Sequence, residues 1–294
     1  MRRPDPQLTP RGAIVNVYGA FVRRIGGWMA IADLIVLLAD LGVDEQAARS
    51  TIARLKRLGL LHSESHHASA GYAAGHPLLD LLGDGDARIF HSRIGTDLVD
   101  DWVLVVFSVP ERERDQRHLL RTRLAALGCG PLAPGVWIAP GRVSVDVRTM
   151  LQRLGLEKYT AMFKGSYVGF DDLASLVGST WDVGPLARHY ASFATRHGKA
   201  AARWQAGKRE PRRAFIELVG TIEGWRRLAY EDPGLPDALA GYAEQRRNAH
   251  AVFVEANRLL GERAMAHVES TVGPRRLAAI TAAPLTISDT AGGR

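Results

Sequence analysis

The stretch WVLVVFSV, residues 102–109, leaves the chain the least conformational choice. A nearly unbroken apolar run of strand length has no polar side to turn to water, so it predicts a strand buried in a sheet. The next segments cover it. PERERDQRHLLRTRLAALG predicts an amphipathic helix with Leu119, Leu120, Leu124 and Leu127 inward and an Arg-rich face outward. CGPLAPGVWIAP reads as a strand approach interrupted at Pro131 and Pro134 and resumed at GVWI. VDVRTMLQRLG is a second amphipathic helix and YTAMFKG a further strand. Strand, helix, strand, helix, strand is an α+β sandwich of ferredoxin-like type.

The N-terminal part keeps a helical period three times over. Ile14, Val17, Tyr18, Phe21 and Ile25 form one stripe ended by Gly26 and Gly27, and Ile31, Leu34, Ile35 and Leu38 form a second closed by Gly42. The third helix is DEQAARSTIARLKRLGLL, with Asp44 as N-cap, Glu45 behind it, and Ala48, Ile52 and Leu55 as its buried stripe. That stripe turns Gln46, Arg49, Ser50 and Ala53 outward, with Arg54 and Arg57 flanking. Small residues among long donors suit a helix that enters the DNA major groove, where Arg and Gln meet base edges bidentately. Periodicity alone gives this and an ordinary charged surface helix similar weight. HSESHHASAGYAAG, directly after, is a strand-turn-strand where a winged helix carries its wing, with His66 and His67 at the tip. Histidines beside phosphates imply DNA affinity that rises as pH falls. The trio His62, His66 and His67 lacks a cysteine, and Glu64 alone does not complete a metal site.

Beyond residue 180 the pattern is helical. WDVGPLARHYASFATRH, capped by Asp182, puts Leu186, Tyr190 and Phe193 on one face, and FIELVGTIEGWRRLAY and YAEQRRNAHAVFVEANRLLGERAMAHV are further amphipathic helices. Between Arg196 and Arg213 seven Lys or Arg stand against Glu210, with Trp204 among them; a solvated helix end is the preferred reading. The expected organisation is a disordered arm at 1–11, a winged helix-turn-helix domain at 12–80, a ferredoxin-like domain at 95–178, a helical domain at 180–272 and a disordered tail at 273–294.

Composition narrows the function. A surplus of 38 Lys and Arg over 31 Asp and Glu, with pI near 9.8, is a moderate bias toward polyanions. Charges interrupt every apolar run before the roughly 20 residues a membrane helix needs, and MRRPDPQLTP has no apolar core behind its basic residues, so it does not read as a secretory signal. One cysteine, Cys129, rules out a disulfide framework and fits a reducing cytoplasm; it reads as a small buried side chain. No Gly-x-Ser-x-Gly, Walker loop or His-Glu-x-x-His occurs, no cofactor is called for, and GDGD at 83–86 reads as a turn.

The segments YGAFVRRIGGWMAIADLIVLLADLGVDEQAARSTIARLKRLGLL, GDARIF, DDWVLVVFSVPERERDQRHLLRTRLAALGCGPLAPGVWIAP, TWDVGPLARHYASF and EDPGLP, in this order across residues 12–262, resemble the PaaX-type transcriptional regulators. The resemblance implies a winged-helix DNA-binding domain, a central domain similar to Cas2 and a helical C-terminal domain. It implies a homodimer at an inverted repeat, repressing catabolic genes until an aryl-coenzyme A such as phenylacetyl-coenzyme A releases it. The family's recognition-helix pattern falls on Glu45, Arg49 and Arg54, with Gln46 and Ser50 beside them. Its wing element falls on Gly71 and Tyr72, and its GPLAPGVWI strand on residues 130–138, where Trp137 reads as core. The wing departs from the family pattern, offering SHHASA where several Arg are usual. No motif assigns effector-binding residues. The Cas2 likeness also raises a metal-dependent nuclease, which needs a carboxylate at the end of the first strand; here that strand ends FSVPE, and Glu111 lies beyond it.

Overall fold

The computed structural model describes residues 8–66, 69–89, 101–170, 172–205 and 210–274. His67, most of the N-terminal arm and the tail from residue 275 lie outside the described residues. Those described pack as two units, one drawn from 1–87, 197–224 and 253–294, the other from 88–196 and 225–252.

In the first unit, α1 (Pro10–Ala20) opens on Thr9, whose hydroxyl accepts from the Gly12 amide at 3.0 Å, with Pro10 at the helix start. A short 3-10 turn and Gly26, in the left-handed region at φ 100, end the stripe where the glycine pair predicts. Strand β1 (Trp28–Ala30) leads into α2 (Ile31–Asp40) and α3 (Glu45–Arg57), and β2 (Leu61–His66) and β3 (Ser69–Ala74) form a hairpin. The three strands make an antiparallel sheet in the order β1-β3-β2. β1 was not foreseen because three residues are too few to show a period of two. α4 (His76–Ile89) comes next, and it corrects the turn read at GDGD: residues 83–86 lie inside this helix, carried by the Leu78 and Leu82 stripe that buries on one side.

The second unit holds β4 (Trp102–Phe107), α5 (Arg114–Ala126), β5 (Gly130–Ala133), β6 (Val136–Pro140), α6 (Ser144–Leu154) and β7 (Thr160–Gly165). The sheet order β5-β6-β4-β7, all antiparallel, is the ferredoxin-like arrangement. The interrupted strand approach is a complete hairpin: Pro134 and Gly135 turn the chain, and Gly135 has φ 75. Val103 and Val105 from β4 meet Leu120 and Leu124 of α5 and Val147 and Leu151 of α6 in one core, which also takes Cys129 and Trp137. Each fully buried Val or Leu here contributes about 1.5–3 kcal/mol.

The remaining helices are α7 (Leu173–Thr180), α8 (Gly184–Gln205), α9 (Pro211–Glu231), α10 (Asp237–Ala240) and α11 (Ala243–Val272). α8, α9 and α11 each supply residues to both units. Leu186, Tyr190 and Phe193 are buried together as the period predicts, and no described helix is long and apolar enough to cross a membrane.

Candidate nucleic-acid interface

The candidate site is the outward face of α3. Asp44 starts the helix by accepting from the Ala47 amide at 2.9 Å, and Gly59, at φ 69, ends it. Ala48, Ile52 and Leu55 are 1–2% exposed and anchor the inner face. Gln46, Arg49, Ser50, Ala53, Arg54, Lys56 and Arg57 are all exposed. Four basic residues against Glu45 make the helix strongly positive, and the bases in its last turn suit the negative end of the helix dipole.

The face is ordered by its own contacts. Arg49 pairs with Glu45 one turn back, Nη2 to Oε1 at 2.8 Å, with both side chains about 60% exposed. Ser50 donates to the Ala47 carbonyl at 3.0 Å. Arg54 and Arg57 make no ion pair among the described residues, so both guanidiniums keep their full donor sets toward solvent.

Lys56 links the helix to the hairpin, its ammonium lying 5.6 Å from the centre of the Tyr72 ring. Tyr72 is half-buried, and its carbonyl accepts from the Tyr18 hydroxyl at 2.9 Å. Gly71 beside it permits this geometry, since a Cβ there would lie 2.2 Å from the Trp28 ring. His66 ends β2 with its ring edge-on to Trp28 at 4.9 Å and its Nε2 2.7 Å from Glu64. His66 forms the last pair of the hairpin, opposite Ser69 beside the tip, and its side chain is half-buried against Trp28 with Glu64 as its partner. The described residues bring no three His, Cys, Asp or Glu together as a metal-holding group. Glu111 is exposed and pairs with Arg117 at 2.9 Å, while Ser108 continues the strand pairing through its amide to the Tyr159 carbonyl.

Sequence reasoning missed the polar clusters formed by residues far apart in the chain. In the first unit Asn16, flanked by Val15 and Val17, donates to Glu223 at 2.8 Å. Asp40 at the end of α2 takes Arg212 at 2.6 Å and His267 at 2.7 Å. In the second unit Asp232 is 7% exposed and accepts from Tyr190, Tyr242 and the Gly234 amide, each at 2.6 Å, with Arg246 at 3.3 Å. Arg246 also reaches the Leu235 carbonyl and Asp237. Burial, then the Asp232 carboxylate, pushes both tyrosine hydroxyls far above their ordinary range. Burial opposes the charge on Arg246, and Asp232 and Asp237 outweigh it, so Arg246 is held protonated even more firmly than usual. A polar residue inside an apolar stripe, as at Asn16, was the one readable signal.

Comparisons with known proteins agree in order along the chain. Residues 9–75 match the model of the PaaX-like protein, 96–177 that of the PaaX protein central Cas2-like domain, and 181–270 that of the PaaX-like protein C-terminal domain. The chain is similar to the transcriptional repressor PaaX of Escherichia coli (strain K12), 24% identical over 233 residues that span 77% of this chain and 72% of that protein. Among solved structures it is similar to the uncharacterized protein Rv0674 from Mycobacterium tuberculosis, with a TM-score of 0.58 and 19% identity, over 89% of this chain and 99% of that one. That second likeness concerns the fold alone. With three models of one family matched in order over most of its length, the chain belongs to the PaaX family of transcriptional regulators.

Proposed function

We propose that this protein is a homodimeric repressor that reads an inverted repeat in operator DNA with α3 and lets go when a small acidic effector binds. The observation that carries the reading is the outward face of α3, where Gln46, Arg49, Ser50, Arg54 and Arg57 are exposed over a firmly buried stripe. Arg49 and Gln46 are the base-reading side chains, Arg54 and Arg57 meet phosphate, and Ser50 and Ala53 let the helix settle into the groove. Glu45 orients Arg49. The hairpin β2–β3 acts as the wing of a winged helix-turn-helix spanning residues 12–80, with His66, His67 and Tyr72 as its DNA contacts.

Residues 95–178 form the dimerising centre and 180–272 the helical domain. Phe163, Val168 and Phe170, exposed at 61%, 95% and 110%, are large apolar side chains that a second copy would cover. The effector class, an aryl-coenzyme A such as phenylacetyl-coenzyme A, rests on the family alone, as do the catabolic target genes; the protein works in the cytoplasm and catalyses no reaction.

The test is fluorescence anisotropy on DNA from the protein's own upstream region against scrambled DNA, at fixed salt, with and without phenylacetyl-coenzyme A. Preference for the upstream DNA that disappears with the thioester is the expected result. Preference that ignores the thioester removes this effector, and equal binding to both DNAs removes the operator-reading function.

A further inference from the structure

We infer that α5, in the ferredoxin-like domain, is a second DNA-contacting helix that binds the phosphate backbone without reading sequence. This extends the reading of the chain as a DNA-binding protein and adds a surface that the α3 reading does not use.

α5 and α3 are alike in a way the fold does not require. Both are 13 residues long, and each carries four basic residues against one acid. α11, by contrast, balances four bases with four acids over 30 residues. On α5 the inner face is Leu120 and Leu124, fully buried, and the outer face is Arg114, His118, Arg121 and Ala125, all exposed. Steps of four, three and four residues set these side chains in a single row. Small Ala125 and the short Thr122 beside it leave the long side chains standing above the helix surface.

Some exposed helical arginines find an acid one turn away, as Arg49 finds Glu45, Arg213 finds Glu217 and Arg258 finds Glu255, while others, such as Arg54 and Arg57 on α3, do not among the described residues. Arg114, Arg121 and Arg123 make no such pair among the described residues. Arg117 is tied down, to Glu111 and to the Val109 carbonyl at 2.8 Å, and stands one turn from both Arg114 and Arg121. Like charges at that spacing repel, and Arg114 sits in the first turn of the helix, where the dipole disfavours a cation. The row therefore works against its own helix. A feature that costs local stability without serving the core is where function is expected. A polyanion relieves all of these repulsions together.

The spacing fits duplex DNA. Arg114 and Arg121 are separated by roughly 10 Å along the helix axis, about three base pairs at 3.4 Å each. Both guanidiniums can then engage phosphates of one strand, with His118 between them.

The experiment uses the full-length protein and measures affinity across a salt series for two duplexes, upstream and scrambled. Each phosphate contact contributes about 0.9 to the slope of log affinity against log salt. The double variant Arg114→Gln, Arg121→Gln is expected to flatten that slope by about two and to weaken binding to both duplexes by the same factor. Arg114→Lys with Arg121→Lys, which keeps the charge, is expected to retain the slope. A slope unchanged in the glutamine variant overturns the inference. Arg49→Ala, run alongside, separates it from the operator reading: if Arg49→Ala loses preference for upstream DNA while the glutamine variant behaves as wild type, operator reading stands and α5 falls. If wild type shows no preference but the glutamine variant still flattens the slope, α5 stands and operator reading falls. Binding to neither duplex removes both.

Discussion

Arg49 on α3 and Arg246 in the ring around Asp232 are the same side chain put to opposite uses. Arg49 is 59% exposed and holds a single acid on its own helix, whereas Arg246 is 5% exposed and holds Asp232, Asp237 and a backbone carbonyl. The first can leave its partner with little loss, since an exposed pair contributes at most about 1 kcal/mol. The second cannot, because an unpaired buried charge is expensive. A recognition surface needs donors that change partners; a core needs donors that never do.

Removing the shared acceptor tests this difference hardest. Asp232→Ala leaves Arg246 short of a carboxylate and strands two tyrosine hydroxyls and the Gly234 amide, so it should destabilise the protein by about 3–5 kcal/mol in denaturant unfolding. A loss under about 1 kcal/mol would show that the ring does not hold the fold.

pH probes the same ring from the other side. The native Tyr190 and Tyr242 hydroxyls are shifted upward, by burial first and by Asp232 second. The unfolded chain releases those protons near the ordinary tyrosine value of about 10, while the native chain retains them. Stability is therefore complete below about pH 10 and declines as pH rises above it. Unfolding free energies on the two sides of that value should differ, and Tyr242→Phe should reduce the difference. With Tyr18 raised by burial as well, three of the seven tyrosines should stay silent in an alkaline absorbance titration until the protein unfolds.

On the exposed side the effects shift from folding to binding. Arg49→Ala should cost about 1–3 kcal/mol of preference for operator over scrambled DNA while changing unfolding free energy by no more than about 0.5 kcal/mol. Normal folding with wild-type preference would take Arg49 off the reading face. Asp44→Ala removes the cap of α3 and should lower stability by about 1 kcal/mol, seen as a reduced denaturant midpoint. Glu45→Gln is the mildest, about 0.3–0.5 kcal/mol of helix pairing. It also sharpens the contrast, since DNA binding should respond to the freed Arg49 more than unfolding does.

Much of the candidate site was legible in the sequence because a helix projects its period onto its surface. Ala48, Ile52 and Leu55 at steps of four and three fix the inner face, and with it the outer one. The strand Trp102–Phe107 was legible because its composition permits no exposed side. The β5–β6 hairpin was obscured by its prolines, and the helix through residues 83–86 by its glycines and aspartates, since local propensity there argues against the structure that packing imposes. His66 sits beside the hairpin tip, opposite Ser69, but nothing in HSESHH reveals that Trp28, 38 residues earlier, lies against it.

By itself the sequence determined which segments form the main helices and strands, the charge of α3 and α5, and family membership through motifs in order. Each of these is a local property, carried by periodicity or by a short run of residues. Tertiary structure alone decided that Asn16 meets Glu223, that Asp40 meets Arg212 and His267, and that Asp232 gathers two tyrosines and Arg246. It also decided that the described residues of 197–224 and 253–274 group with the N-terminal segment while the stretch between them groups with the described residues of 88–196. Contacts between residues far apart in the chain depend on how completed elements stack and on which polar groups must find partners away from water, and no local pattern encodes that.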